Sequence, residues 1–309
     1  MEEIANAFSG KGITESSKKL YLANLKRLNG GEIKNLKFLA DVKSVMEKLE
    51  KYKPNTQRSY IISIVSLLKT LKGTQKKYQK LYDEYYKILE QQNVTLKDQT
   101  GKTDKENENW IGQDKIKEIF EDKMKIIEAI KSKKKIGVEE YDDLLHLVVL
   151  SLFVLQKPRR NKDYQEMVVV KKYKPEYGTE QNFLDLSKSE FQFNNYKTAG
   201  TYKTQIVPVE PKMREIIDAF LKHHPLKKQL KTADAKVSFL VDYQGNPFTQ
   251  INSLTRMLYK IFGTKIGSSM MRKLYLTDKY SAMMAEMKDD AEAMGTSTST
   301  AQSNYIKKE

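Results

Sequence analysis

A strongly polar stretch, residues 93–109, divides the chain into two parts that each hold enough apolar residues for a core. This stretch contains Gly together with Lys, Asp, Asn and Glu, and it shows neither the period of a helix nor that of a strand. Trp110, the only tryptophan, follows it directly. The pattern predicts an interdomain linker, with one domain over residues 1–92 and a second over residues 110–309.

The first part is predicted to be helical throughout. Thr14 is a candidate N-cap for the first helix, and the Gly30-Gly31 pair ends that helix. Three more helices are expected at about residues 39–52, 54–72 and 74–92, each with apolar residues at helical spacing. The outer face of the fourth helix carries Lys76, Lys77, Lys80 and Lys87, which is typical of a solvated surface and equally of a surface that follows DNA phosphates.

The second part begins with helices and then changes period. Helices are expected at about 114–132 and 139–156, and the second of these is apolar on most faces. Short strands are expected at 166–171, 182–186, 190–196, 202–209 and 237–241, with a hairpin turn at 198–200. The remaining helices are expected at 211–223, 250–262, 268–280 and 282–294. We therefore predict a mostly helical α+β fold, with a helical N-terminal domain and a C-terminal domain that holds a small antiparallel sheet.

The charge indicates an anionic partner. The chain has 55 Lys and Arg against 40 Asp and Glu, for a net charge of +15. Such a surplus suits nucleic acid, although a generally lysine-rich organism would produce it without any particular partner. Only seven of the basic residues are arginines, so the planar guanidinium is expected to matter where it occurs.

Composition also excludes several classes of protein. The chain has no Cys, which excludes a disulfide framework, an iron–sulfur site and a cysteine nucleophile. Its three His residues lack the spacing of a zinc site, and we expect no metal. No apolar run reaches 18 residues and the acidic start is unlike a signal peptide, so an intracellular location is expected.

Three stretches of the second part place a basic side chain at the end of an element. Arg160 follows the apolar helix and precedes Asp163 by three residues, a spacing at which a carboxylate can orient a guanidinium. Lys197 precedes the predicted hairpin turn, and Arg272 lies in the first turns of a later helix, where an anion is favoured.

In this order, these residues resemble the motifs of the tyrosine recombinase, or phage integrase, family. The family pattern is Arg-x-x-Glu/Asp, a hairpin lysine, His-x-x-Arg, and Gly-His/Trp followed nine residues later by a nucleophilic tyrosine. Arg160 and Asp163 match the first motif, Lys197 the second and Arg272 the third. Gly295-Thr296 and Tyr305 match the last motif with its spacing. The resemblance covers nearly the whole chain and looks closest to recombinases carried by large DNA viruses and mobile elements.

The chain departs from the family pattern at both histidine positions. Ser269 stands in the His-x-x-Arg motif, and Thr296 stands where His or Trp is usual. Serine cannot act as a general base, so Lys273 or water would have to accept the tyrosine proton. Slow or condition-limited catalysis is therefore expected.

The resemblance implies a DNA breaking-rejoining reaction without a cofactor. Tyr305 would attack a phosphodiester to form a 3′-phosphotyrosine, Arg160 and Arg272 would stabilise the charge on the phosphate, and Lys197 would protonate the leaving 5′-oxygen. The partner would be double-stranded DNA, with no membrane involved. Two alternatives remain open, a type IB topoisomerase-like DNA relaxer and a catalytically impaired DNA-binding protein of the same fold. Because only four residues follow Tyr305, we expect a monomer in solution that oligomerises, if at all, on DNA.

Overall fold

The computed structural model describes Phe8 and residues 12–73, 76–97, 101–232 and 234–307. The chain separates into two compact units, one up to Lys102 and the other from Thr103 onward. The boundary lies inside the stretch predicted to be a linker, but part of that stretch is helical. A helix continues to Lys97, and Asp104–Asn109 form another, which starts with a capping box between Thr103 and Glu106.

The first unit is helical, as the sequence predicts. Its helices are α1 (Glu15–Asn29), α2 (Val42–Leu49), α3 (Pro54–Leu71) and α4 (Lys76–Lys97). The Thr14 hydroxyl accepts the Ser17 N–H at 3.3 Å, which confirms the predicted cap of α1. The apolar faces of the helices enclose one core, whose fully buried members include Leu25, Ile61, Leu68 and Tyr85.

The second unit is organised around one helix that is buried on every face. After the short α5 (Asp104–Asn109), its helices are α6 (Gln113–Ile130), α7 (Val138–Val154), α8 (Asn161–Gln165), α9 (Ala199–Tyr202), α10 (Pro211–His223), α11 (Ser253–Phe262), α12 (Ser268–Ala293) and α13 (Thr298–Thr300). Residues Leu144–Phe153 of α7 are all buried, and α6, α10 and α11 pack around it. The prediction of a central apolar helix is confirmed.

A small five-stranded sheet completes the second unit, so the predicted mostly helical α+β fold is confirmed. The strands are β1 (Val168–Val170), β2 (Phe183–Asp185), β3 (Glu190–Phe193), β4 (Gln205–Pro208) and β5 (Val237–Ser238), in the order β4-β3-β2-β1-β5. The predicted antiparallel sheet is wrong in one pairing, because β1 and β2 are parallel. The connection over residues 171–182 is long enough to cross over, whereas a tight turn would have produced an antiparallel pair.

The connection between β3 and β4 is longer than the predicted three-residue turn. Both strands are shorter than expected, and α9 forms a helical turn between them. The side-chain oxygen of Asn182 accepts the N–H groups of Asn194 and Asn195, both at 2.8 Å. Because these N–H groups bond to a side chain, they do not continue the ladder of β3, and the strand ends at Phe193.

Helix α12 is one continuous helix of 26 residues, whereas the sequence predicts two helices with a break near residue 281. The Tyr280-Ser281-Ala282 sequence contains neither Pro nor Gly, so nothing interrupts the backbone hydrogen bonds there. From Leu276 to Asp290 every residue except Met287 is exposed.

Within the described part of the chain, no helix is long and apolar enough to cross a membrane.

Candidate functional site

Arg160 and Arg272 line one cleft although they are far apart in sequence. The chain leaves α7 at Val154 and reaches the N-cap of α8 at Arg160, and Arg272 lies in the second turn of α12. The cleft has a volume of about 220 Å³, and its other lining residues are Pro158, Arg159, Asp163, Tyr196, Thr198, Tyr202 and Gln205.

Asp163 binds Arg159 and not Arg160, the arginine that we expected it to orient. The Nε of Arg159 donates to Asp163 at 3.0 Å, and its Nη1 donates to Gln205 at 2.7 Å. The guanidinium also lies 3.8 Å from the centre of the Phe193 ring. The prediction that Asp163 orients Arg160 is therefore wrong. Sequence spacing permits either pair, and the ring and amide supplied by the sheet select Arg159.

Asp163 is buried, and its charge is balanced by Arg159. Burial raises the pKa of this carboxyl, and the neighbouring Arg159 guanidinium opposes that shift. The Asp163 side chain is only 4% exposed. Its partner, Arg159, is held in place by Gln205 and Phe193. Arg159 thus acts as a fixed part of the cleft wall.

Arg160 and Arg272 are not held by a carboxylate in this way. Both are half-buried, and in the described part of the chain neither forms an ion pair. Arg272 donates to the Ser269 hydroxyl at 3.1 Å and to the Ser268 carbonyl at 3.3 Å. Burial, followed by the nearby charge of Arg160, lowers the pKa of Arg272, and the charge of Asp163 opposes this shift only in part. Two positive charges thus repel each other in a partly dehydrated cleft, an arrangement that an anion would stabilise.

The structure places Ser269 beside the cleft but directs Lys273 elsewhere. Ser269 accepts a hydrogen bond from Arg272, so it supports the guanidinium. The ammonium of Lys273 is bonded to Glu106 of α5, and the hydrogen bond from Lys273 lowers the pKa of that carboxyl. An ammonium group holds no lone pair, so in this pairing Lys273 cannot accept a proton.

Lys197 lies near the cleft but not on a strand. It is exposed in the β3–β4 connection, one residue before Thr198, which lines the cleft. The prediction that Lys197 lies between a strand and a tight hairpin turn is wrong, because β3 ends at Phe193.

Tyr305 and Thr296 are far from the two arginines. Thr296 lies beyond the end of α12, where its N–H donates to the Ala291 carbonyl. The segment that follows packs back on α12, since Gln302 contacts the sulfur of Met287 at 3.9 Å. Met287 is fifteen residues after Arg272, which corresponds to about 22 Å along a helix. Tyr305, 66% exposed, is therefore separate from the cleft in a single chain.

Sequence reasoning missed most of the other residues that line the cleft, among them Arg159, Gln205 and Tyr202. Arg159 adjoins Arg160, so the Arg-Arg pair was a usable signal, whereas nothing in the sequence distinguishes Gln205. Tyr202 is 63% exposed at the end of α9. The next residue, Lys203, adopts φ 56°, a strained value that the Tyr196 hydroxyl helps to maintain by donating to the Lys203 carbonyl at 2.6 Å.

Among the described residues, no group of three or more His, Asp or Glu side chains is placed to bind a metal ion. Comparison of the chain with protein-family models, curated proteins and solved structures finds no match.

Proposed function

We propose that this chain is a site-specific DNA recombinase of the tyrosine type, which cleaves and rejoins DNA strands through a phosphotyrosine intermediate. The observation that carries the proposal is that Arg160 and Arg272 share one cleft and that neither forms an ion pair with a described residue. Two guanidinium groups so placed suit the nonbridging oxygens of a phosphodiester, which gain negative charge when a nucleophile attacks. The net charge of +15 favours the same polyanion.

The reaction balances without an added reactant. The Tyr305 oxygen bonds to phosphorus as its proton passes to water, and the bond from phosphorus to the 5′-oxygen breaks. Lys197 is the candidate donor of a proton to that leaving oxygen. Rejoining reverses these steps. Water takes the role of base because Lys273 is engaged by Glu106 and Ser269 supports Arg272.

This reaction requires the segment that carries Tyr305 to move. The segment that carries Tyr305 must leave the Met287 region of α12 before its hydroxyl can reach a phosphate in the cleft. The segment follows Gly295, whose φ of 68° marks a turn that a residue with a Cβ rarely adopts.

The separation of Tyr305 from the cleft also favours a second candidate function, a DNA-binding protein of this fold that does not cleave.

Trapping of a covalent adduct distinguishes the two candidates. Incubation with a pool of nicked duplexes should produce a protein–DNA adduct that resists denaturing electrophoresis. Tyr305→Phe should abolish the adduct but keep duplex affinity within about threefold, because one hydroxyl contributes little to an interface dominated by phosphates. Arg272→Ala should also abolish it, whereas the control Arg214→Ala, outside the cleft, should not.

Each remaining outcome has a definite meaning. Duplex binding without any adduct would establish the second candidate. An adduct that persists in Tyr305→Phe would show that another residue is the nucleophile. A wild-type protein with no affinity for duplex DNA would overturn both candidates.

A further inference from the structure

A second cavity, of about 340 Å³, lies at the start of α12 beside the arginine cleft. Its lining combines the first residues of α12 with residues of α5, of α11 and of the loop between α11 and α12. The residues that matter for its chemistry are Lys105, Glu106, Lys265, Ser268, Ser269 and Lys273. None of them belongs to the wall of the arginine cleft.

The backbone presents unused donors to this cavity. Gly267 is the N-cap of α12 and has no side chain to accept a hydrogen bond. Met271 is the first residue of the helix whose N–H is bonded, to the Gly267 carbonyl at 3.0 Å. The N–H groups of Ser268, Ser269 and Met270 have no acceptor among the described residues. The positive end of a 26-residue helix therefore faces the cavity.

Ser268 provides an independent indication that the cavity binds a ligand. This residue is only 9% exposed and lines the cavity. Its hydroxyl has no hydrogen-bond partner among the described residues, although its carbonyl accepts from Arg272. Because Ser268 lines the cavity, an oxygen atom of a ligand there would give this hydroxyl the hydrogen bond that it lacks.

The charges in the cavity favour an anion. The ammonium groups of Lys105 and Lys265 form no ion pair in the described part of the chain. The one carboxylate, Glu106, is bonded to Lys273 and also accepts the Thr103 N–H at 3.0 Å. Three lysines against one glutamate leave two positive charges beside the helix terminus.

Two contacts connect this cavity to the arginine cleft. Ser269 lines the cavity and accepts a hydrogen bond from Arg272. Asn161, the residue after Arg160, donates to the hydroxyl of Thr255 at 2.7 Å, and Thr255 also lines the cavity. Single side chains thus connect the two sites, so a polyanion bound by Arg160 and Arg272 lies close to the second cavity.

We propose that the cavity at the N-terminus of α12 binds a DNA backbone phosphate on the same strand as, and next to, the phosphate held by Arg160 and Arg272. The inference rests on the proposed function, since it needs DNA in the arginine cleft. The N–H groups of the helix, the Ser268 hydroxyl and the two free lysines bind the phosphate, and Glu106 limits its affinity.

The salt dependence of duplex binding tests the site. Each neutralised phosphate contributes about −0.9 to the slope of log K against log salt. The double variant Lys105→Ala/Lys265→Ala should make the slope shallower by about 1, as measured by fluorescence anisotropy with a labelled duplex. The matched control is Lys115→Ala/Lys117→Ala on α6, where both lysines pair with glutamates outside the cavity. This control should leave the slope unchanged.

A second variant should act in the opposite direction. Glu106→Gln removes the only carboxylate of the cavity and frees Lys273, while glutamine keeps the capping interaction with Thr103. Its duplex affinity should rise, with a slope steeper by up to about 1, whereas the control Glu121→Gln should not change either quantity.

The outcomes separate the two proposals. If the wild-type protein shows no salt-dependent duplex binding, the proposed function fails. If the wild-type protein binds but the lysine variant keeps its slope, or Glu106→Gln does not raise affinity, the second phosphate site alone is refuted.

Discussion

At the scale of the residue, adjacent arginines have different surroundings. Arg159 is bonded to Asp163 and Gln205 and lies on Phe193, whereas Arg160 forms no ion pair in the described part of the chain and lies near Arg272. The first arrangement stabilises the fold, and the second leaves a guanidinium available for a ligand. The sequence shows two equivalent arginines, and only their neighbours distinguish them.

We expect the two arginines to respond differently to substitution. Arg159→Ala should lower the free energy of unfolding of the second unit by about 3 kcal/mol, because it leaves the buried Asp163 carboxylate unpaired. Arg160→Ala should change it by less than about 0.5 kcal/mol in the absence of DNA, since its charge repels that of Arg272. Urea unfolding followed by fluorescence of Trp110, the only tryptophan, reports on this unit. Equal losses in the two variants would contradict this assignment.

At the scale of the element, α12 joins a buried half to an exposed half. Its first turns supply Met271 and Leu274 to the core, and from Leu276 to Asp290 it extends with almost no buried residue. The helix therefore positions Arg272 at one end and carries Tyr305 away from the cleft at the other. The second half contributes little to the core, so the unit can tolerate a change in its position.

Binding of DNA is expected to bring the segment after Gly295 closer to the cleft. The chain has no native cysteine, so a spin-labelled pair can be introduced as Leu276→Cys and Ser303→Cys. Because Leu276 is eleven residues before Met287, the two backbones should be separated by about 16 Å along the axis in the free protein. Duplex DNA should shorten the distance measured by pulsed electron resonance. An unchanged distance in a protein that forms the covalent adduct would contradict this rearrangement.

At the scale of the whole molecule, the two units differ in their titratable groups. The three histidines, His146, His223 and His224, all lie in the second unit, and burial lowers the pKa of each. His224 accepts the Leu226 N–H through Nδ1 at 3.1 Å, while its Nε2 lies 3.2 Å from the Phe239 carbonyl. This bonding requires the neutral ring.

Acid should therefore destabilise the second unit selectively. Below the unfolded histidine pKa of about 6.5, the unfolded chain binds protons that the folded unit excludes, so stability is complete above that pH and falls below it. Each histidine contributes up to about 1.4 kcal/mol per pH unit. Unfolding followed by Trp110 fluorescence between pH 7.5 and 5.5 should show the loss, and His224→Gln should reduce its slope. A stability independent of pH in this range would contradict the assignment of buried, neutral rings.

The sequence by itself determined the helical nature of the first unit, the central position of α7 and the mostly helical α+β class. These features follow from hydrophobic periodicity and from local signals such as the Thr14 cap, which depend on residues close in sequence. The motif positions in the sequence also indicated Arg160 and Arg272 as candidate site residues. Tertiary structure alone decided that Asp163 binds Arg159, that β1 and β2 are parallel and that Tyr305 is remote from the cleft. Each of these depends on contacts between segments distant in sequence, where spacing permits several partners and packing selects one.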